Sequence, residues 1–142
     1  LSVAASNARK GRGWGRIVHN SSIDGVEADK TFAPYSAAKA AMLNLSKSLS
    51  QEYARYGVLS NSVVPGITLT ESVMENAQAA AERAGSTVDE VMDRMLGRMR
   101  IAIKRMAKPE EIADAIVFLA SERAAFITGA TLAIDGGTLR GI

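Results

Sequence analysis

The chain has 142 residues, a length that suits one domain. Its 17 Lys and Arg nearly balance 15 Asp and Glu, which argues against a nucleic-acid binder that works by electrostatics alone. There is no cysteine, so disulfides and thiolate metal sites are excluded; the one histidine, His19, has no carboxylates clustered near it in sequence, which argues against zinc.

Residues 1–10 read as the end of a helix, followed by a flexible basic turn through Gly11, Gly13 and Gly15. Gly11 and Gly13 do not open a dinucleotide fingerprint, because Arg16 stands where its last glycine belongs and the turn precedes a strand instead of following one. Arg9, Lys10, Arg12 and Arg16 read as a solvated edge. RIVHN (16–20) predicts a short strand, and residues 21–33 a polar loop. A helix is expected from about Pro34 to Tyr56, with Pro34 in its first turn and Gly57 as its stop. Ala38, Met42, Leu45 and Leu49 recur at helical spacing within it. VLSNSVV (58–64) predicts the next strand, ended by Pro65-Gly66.

Strand, helix and strand in that order make a crossover unit, which implies parallel strands. Residues 71–100 are helical in composition, interrupted at Gly85, with Thr87 and Glu90 at capping-box spacing for a second start. A further helix opens at Pro109, with Ile112, Ile116, Leu119 and Ala120 as its apolar face, and TLAID (131–135) is a third strand. The order β-α-β-α-α-α-β places the chain in the α/β class. No apolar run approaches the ~20 residues of a membrane span. No secretory leader is visible, so a soluble cytoplasmic protein with neither membrane nor nucleic-acid partners is expected.

The chemistry concentrates in residues 22–39. Tyr35 and Lys39 are four apart at a helix start and share one face. A tyrosine alone, with a pKa of ~10, is a poor base near neutrality; a neighbouring ammonium favours the phenolate, so such a pair can exchange protons at working pH. Ser22 follows the C-terminal end of a parallel strand, where ligands of α/β proteins bind. Its hydroxyl is placed to donate to an oxygen on which negative charge develops. His19 reads as a packing residue and Trp14 as an anchor for the N-terminal turn. The four methionines from Met92 to Met106 fit either a flexible apolar lid or an ordinary amphipathic helix.

Taken together, GRIVHNSS, YSAAKAAMLNLSKSLSQEY, NSVVPGITLT, KPEEIADAIVFLAS and ITGATLAIDGG resemble the short-chain dehydrogenases/reductases, 3-oxoacyl-acyl-carrier-protein reductase-like members included. The likeness runs from Gly15 to Gly137. It implies the C-terminal half of a Rossmann-like, doubly wound parallel sheet, carrying family strands 5, 6 and 7. It further implies NAD or NADP as cofactor and a small carbonyl or alcohol as substrate. Ser22 would then polarise the substrate oxygen. Tyr35 would be the general acid or base, and Lys39 would favour its phenolate and hold the nicotinamide ribose. Pro65 and Gly66 would line the nicotinamide pocket, while the Thr68 backbone and Thr70 hydroxyl would meet the carboxamide or phosphates.

The family's Gly-rich phosphate turn and tetrad asparagine have no counterpart here; Asn7 and Asn20 lie too close to Ser22 to replace the latter. The resemblance therefore implies a partial dinucleotide-binding domain whose first strand needs a covering segment or subunit, with a homo-oligomer expected. An incompetent fragment that only folds or associates is the alternative. Ala102 and Lys104 stand where the family often has Pro and Gly before Arg-x-x-x-Pro, and the stretch from Thr70 to Pro109 is long; both bear on the substrate more than on the reaction.

Overall fold

A computed structural model describes residues 13–141. The helix end expected in residues 1–10, and all of the basic edge except Arg16, lie outside the described residues. Three strands, β1 (Gly15–Asn20), β2 (Val58–Pro65) and β3 (Thr131–Ile134), form one parallel sheet in the order β1-β2-β3. The register runs from Gly15 opposite Val58 to Asn20 opposite Val63, and from Ser62 opposite Thr131 to Pro65 opposite Ile134. Four helices accompany it among the described residues: α1 (Ala33–Tyr53), α2 (Glu71–Ala84), α3 (Val88–Arg98) and α4 (Pro109–Ala120).

Strand alternation divides the core into two layers. On one face Ile17 of β1 joins Val58 of β2 and Leu49 and Tyr53 of α1. On the other, Val18 joins Val63, Leu119 of α4 and Ala124. The central strand is buried over its first seven residues; of its polar middle, Ser60 and Asn61 are hydrogen-bonded through their side chains, while the buried Ser62 hydroxyl has no partner among the described residues. Ser60 Oγ lies 3.1 Å from Ser46 Oγ. Asn61 donates from Nδ2 to the Ile127 carbonyl at 2.8 Å and accepts the Ala130 N–H at 3.0 Å, fixing the approach to β3. Such pairing offsets the cost of burying polar groups, and the geometry also selects the register.

The apolar spacing in α1 misidentified its inner face. Ala38 and Leu45 are exposed, and the buried residues are Ser36, Ser46, Leu49, Ser50 and Tyr53. Helix and strand meet through small hydroxyls here, so a stripe read from hydrophobicity alone rotates away from the true contact. The helix also begins at Ala33 and passes into a short 3-10 turn, Ala54–Tyr56, before Gly57. The loop at 21–33 holds two more such turns, Ile23–Gly25 and Lys30–Phe32.

The capping box forms as expected: Thr87 Oγ1 accepts from Glu90 N–H, and the Glu90 carboxylate accepts from Thr87 N–H. Of the four methionines, Met92 and Met95 pack in the α2–α3 hairpin and Met106 is buried. Trp14 is 45% exposed, donates its indole N–H to the Glu122 carboxylate and lies under the Arg16 guanidinium, 4.8 Å away. Among the described residues β1 pairs on one side only, which leaves an unpaired parallel edge. No helix among them is long and apolar enough to cross a membrane.

Candidate active site

The site gathers at the C-terminal ends of β1 and β2. Ser22 leaves β1 in an extended conformation (φ −163°) and caps the turn Ile23–Gly25; its Oγ accepts the Asp24 N–H at 3.2 Å. It is only 9% exposed. Tyr35, in the first turn of α1, is 45% exposed. One helical turn on, Lys39 Nζ lies 5.4 Å from the centre of the Tyr35 ring and donates to the Asn20 carbonyl at 2.9 Å. The ammonium is thus held between the end of β1 at Asn20 and the ring of Tyr35.

Ser21 completes this clamp, and the sequence reading missed it. Its Oγ donates to the Lys39 carbonyl at 2.9 Å, and the side chain is 4% exposed. Lys39 is therefore tied to the end of β1 at both its ammonium and its backbone. A hydroxyl directly before the candidate serine was the available signal. Gly25 makes the close approach possible: a Cβ there would stand 2.9 Å from the Lys39 carbonyl carbon and 2.9 Å from Ser21 Oγ. Farther along the loop, the Asp29 N–H donates to Ser36 Oγ at 3.3 Å.

Pro65 and Gly66 close β2. The Gly66 N–H donates to the Ile134 carbonyl at 3.0 Å, and a Cβ at Gly66 would come 2.8 Å from Asp135 Cα. The next residues are pinned to the segment before α4, with Leu69 N–H on the Ala107 carbonyl at 2.8 Å and Ala107 N–H on the Ile67 carbonyl at 3.0 Å. Thr68 Oγ1 donates to the Gly66 carbonyl at 3.3 Å; Thr70 Oγ1 accepts the Val73 N–H at 3.3 Å and so caps α2.

All seven residues singled out from the sequence line one cleft of about 340 Å³: Ser22, Tyr35, Lys39, Pro65, Gly66, Thr68 and Thr70. A second cleft of about 330 Å³ shares Ser22, Pro65 and Gly66 with the first. Its wall is largely apolar, with Ile23, Phe32, Ile67, Met99 and Ile101, and it also carries Asp24, Asp29 and Thr138. Burial and the charge of Asp29 hold the Asp24 carboxyl above its usual range, against a lowering hydrogen bond from Ser22. Asp29 is held below its usual range, chiefly by the backbone and hydroxyl of Thr31. His19 is buried, and desolvation lowers its pKa. It shares the face of Ile17 and lines neither cleft, which fits a packing residue.

The donor set of the first cleft suits the nicotinamide end of a dinucleotide. An ammonium, a phenol and two threonine hydroxyls are all able to meet ribose hydroxyls or a carboxamide. No group of His, Asp and Glu among the described residues is arranged to hold a metal ion.

Residues 1–138 match the model of a family described as enoyl-(acyl carrier protein) reductase. With the parallel sheet and the cleft above, this places the chain in the short-chain dehydrogenase/reductase family, a family of oxidoreductases. It is 40% identical over 138 residues to an uncharacterised oxidoreductase of Thermotoga maritima, covering 97% of this chain and 52% of that protein. An acetoacetyl-CoA reductase of Rhizobium meliloti is 41% identical over 126 residues, covering 89% of this chain and 47% of the other. Among solved structures, L-sorbose reductase of Gluconobacter frateurii, complexed with NADPH and L-sorbose, superposes with a TM-score of 0.88 at 32% identity, covering 96% of this chain and 52% of that one. The chain spans about half the length of the relatives it matches.

Proposed function

We propose that this chain carries the proton-transfer half of an NAD(P)-dependent oxidoreductase acting on ketones or secondary alcohols. The observation that carries the reading is the convergence of Ser22, Tyr35 and Lys39 on the cleft lined by Pro65, Gly66, Thr68 and Thr70. Two of the relatives are named as reductases of carbonyl compounds, and one solved relative holds NADPH. A bound nicotinamide supplies or accepts the hydride.

The protein's own residues handle the oxygen. In reduction, the Tyr35 phenol donates a proton to the carbonyl oxygen as hydride reaches the carbonyl carbon, giving the alcohol; in oxidation the phenolate takes that proton back. The Ser22 hydroxyl donates a hydrogen bond to the same oxygen as charge develops. Lys39, clamped by Asn20 and Ser21, keeps a positive charge against the Tyr35 ring and presents it to the ribose side of the cleft. Thr68 and Thr70 orient the carboxamide end. We further propose that the segment gripping the cofactor's phosphates docks along the unpaired edge of β1.

The test is consumption of NADH or NADPH by the protein expressed from its full reading frame, over a panel of ketones, with Tyr35→Phe alongside. Tyr35→Phe should lower turnover by about 10²–10⁴-fold, the contribution of a positioned proton donor, while cofactor binding by fluorescence titration stays near wild type. Wild-type turnover by Tyr35→Phe would remove the acid–base assignment.

A further inference from the structure

Resting on the reductase reading above, we infer that the second cleft selects a substrate with a cationic nitrogen, an amino ketone or amino alcohol, and disfavours anionic ones. The cleft includes Ser22, the proposed oxygen-binding group, and none of Lys39, Thr68 and Thr70, which line the other cleft. A substrate whose oxygen meets Ser22 therefore extends its remaining substituent along this wall.

Two unlike features of the wall agree on what that substituent is. Asp24 and Asp29 both line the cleft, and each holds part of its surface out of water. Burial first, and then the charge of Asp29, already make Asp24 harder to ionise; a further negative charge in the cleft compounds that cost, and an ammonium relieves it. Phe32 lines the same cleft with 57% of its surface exposed. An aromatic face beside carboxylates attracts a cation both through the ring quadrupole and through charge. The remaining wall, Ile67, Met99 and Ile101, offers no compensating cation.

The adjoining hollow adds Glu27 and Lys30 to Asp24 and Asp29, three carboxylates against one ammonium. Glu27 is further tied to the Arg140 backbone N–H at 2.9 Å. That bond uses one carboxylate oxygen and leaves the negative charge in place.

Three methyl ketones of similar size test the inference: aminoacetone (cationic), hydroxyacetone (neutral) and acetoacetate (anionic). Their binding to the full-length protein, in wild type and in the double variant Asp24→Asn/Asp29→Asn, is measured by ligand-observed NMR, which needs no turnover; reduction rates are measured in parallel. Aminoacetone should bind tightest and acetoacetate weakest, separated by about tenfold or more, the scale of one partly screened charge pair. The double variant should compress that spread to about threefold or less, because Asn keeps the size and the capping acceptor while removing the charge.

Equal affinities for the three ketones, or a charge order that survives in the double variant, would overturn the inference. Absence of reduction with any ketone of the wider panel, alongside an intact charge order in binding, would instead count against the reductase reading. The two failures are thus separable.

Discussion

Gly25→Ala probes the contact that brings Ser22 and Lys39 together. An alanine Cβ would lie 2.9 Å from the Lys39 carbonyl carbon, 2.9 Å from Ser21 Oγ and 3.0 Å from Lys39 Cβ. Two of these three atoms belong to the α1 backbone or its root, so turning the Ser21 hydroxyl aside would not relieve the contact. The turn Ile23–Gly25 must lift from α1 by several tenths of an ångström. Overpacking of this kind costs about 1–3 kcal/mol, a fall in Tm of about 3–9 °C for a protein of this size class.

The functional effect should exceed the loss of stability. Lifting the turn moves Ser22 away from Tyr35 and strains the Ser21–Lys39 hydrogen bond, and a misplacement approaching 1 Å can cost about 10²-fold in rate. Gly97→Ala is the control, since a Cβ there meets nothing within 4 Å; it should stabilise α3 by up to about 1 kcal/mol and leave turnover alone. Thermal melts by circular dichroism and ketone-dependent NADPH oxidation read the two effects separately. A Gly25→Ala protein with wild-type Tm and turnover would refute the close approach and the coupling drawn from it.

Leu119→Ala removes a side chain only 2% exposed, packed between Val63 and Ala124; it should lower unfolding free energy by about 2–5 kcal/mol in urea titrations. Glu111 accepts two hydrogen bonds of 2.6 Å from Arg105 and one of 2.8 Å from Lys108 N–H, which hold its carboxyl down at about 2. Because the folded value is depressed, its stabilising contribution is complete above the ordinary carboxylate range and fades as pH falls toward 2. The Tm gap between wild type and Glu111→Gln should therefore be constant above about pH 5.5 and shrink on acidification. A gap that widened in acid would contradict the pairing.

Residues with chemistry or punctuation at fixed spacing were legible in the sequence; contacts made by small polar groups were not. The strands, the break at Gly85 and the capping box at Thr87 and Glu90 announced themselves by alternation, turn residues and spacing. So did Ser22, Tyr35 and Lys39, and all seven expected residues line one cleft. The inner face of α1 was missed because it buries serines where a hydropathy pattern expects leucine: the Ser46 hydroxyl meets Ser60 of β2, Ser36 Oγ accepts the Asp29 N–H, and Ser50 Oγ donates to the Lys47 carbonyl of its own helix. Ser21 was missed because its partner is a backbone carbonyl, which any residue carries. The roles of Met99 and Phe32 depend on how a long connection folds back over the end of the sheet, which local sequence does not encode.

The two clefts give the site a division of labour with Ser22, Pro65 and Gly66 as the shared wall. Everything that could grip a nicotinamide ribose lies on one side: Lys39 and Tyr35 from α1, and Thr68 and Thr70 after β2. The groups proposed to choose the substrate line the other: Asp24 and Asp29 from the loop after β1, Phe32 before α1, Met99 and Ile101 before α4. The first set is held by backbone-level fastenings, such as the Lys39 clamp and the Leu69–Ala107 pairing. The second sits on loops and short turns, where substitution costs little stability. On the reading proposed above, altering Asp24, Asp29 and Phe32 changes the preferred substrate and leaves the proton transfer assigned to Tyr35 undisturbed. The charge order of the ketone series and the rate lost in Tyr35→Phe should accordingly vary independently of one another.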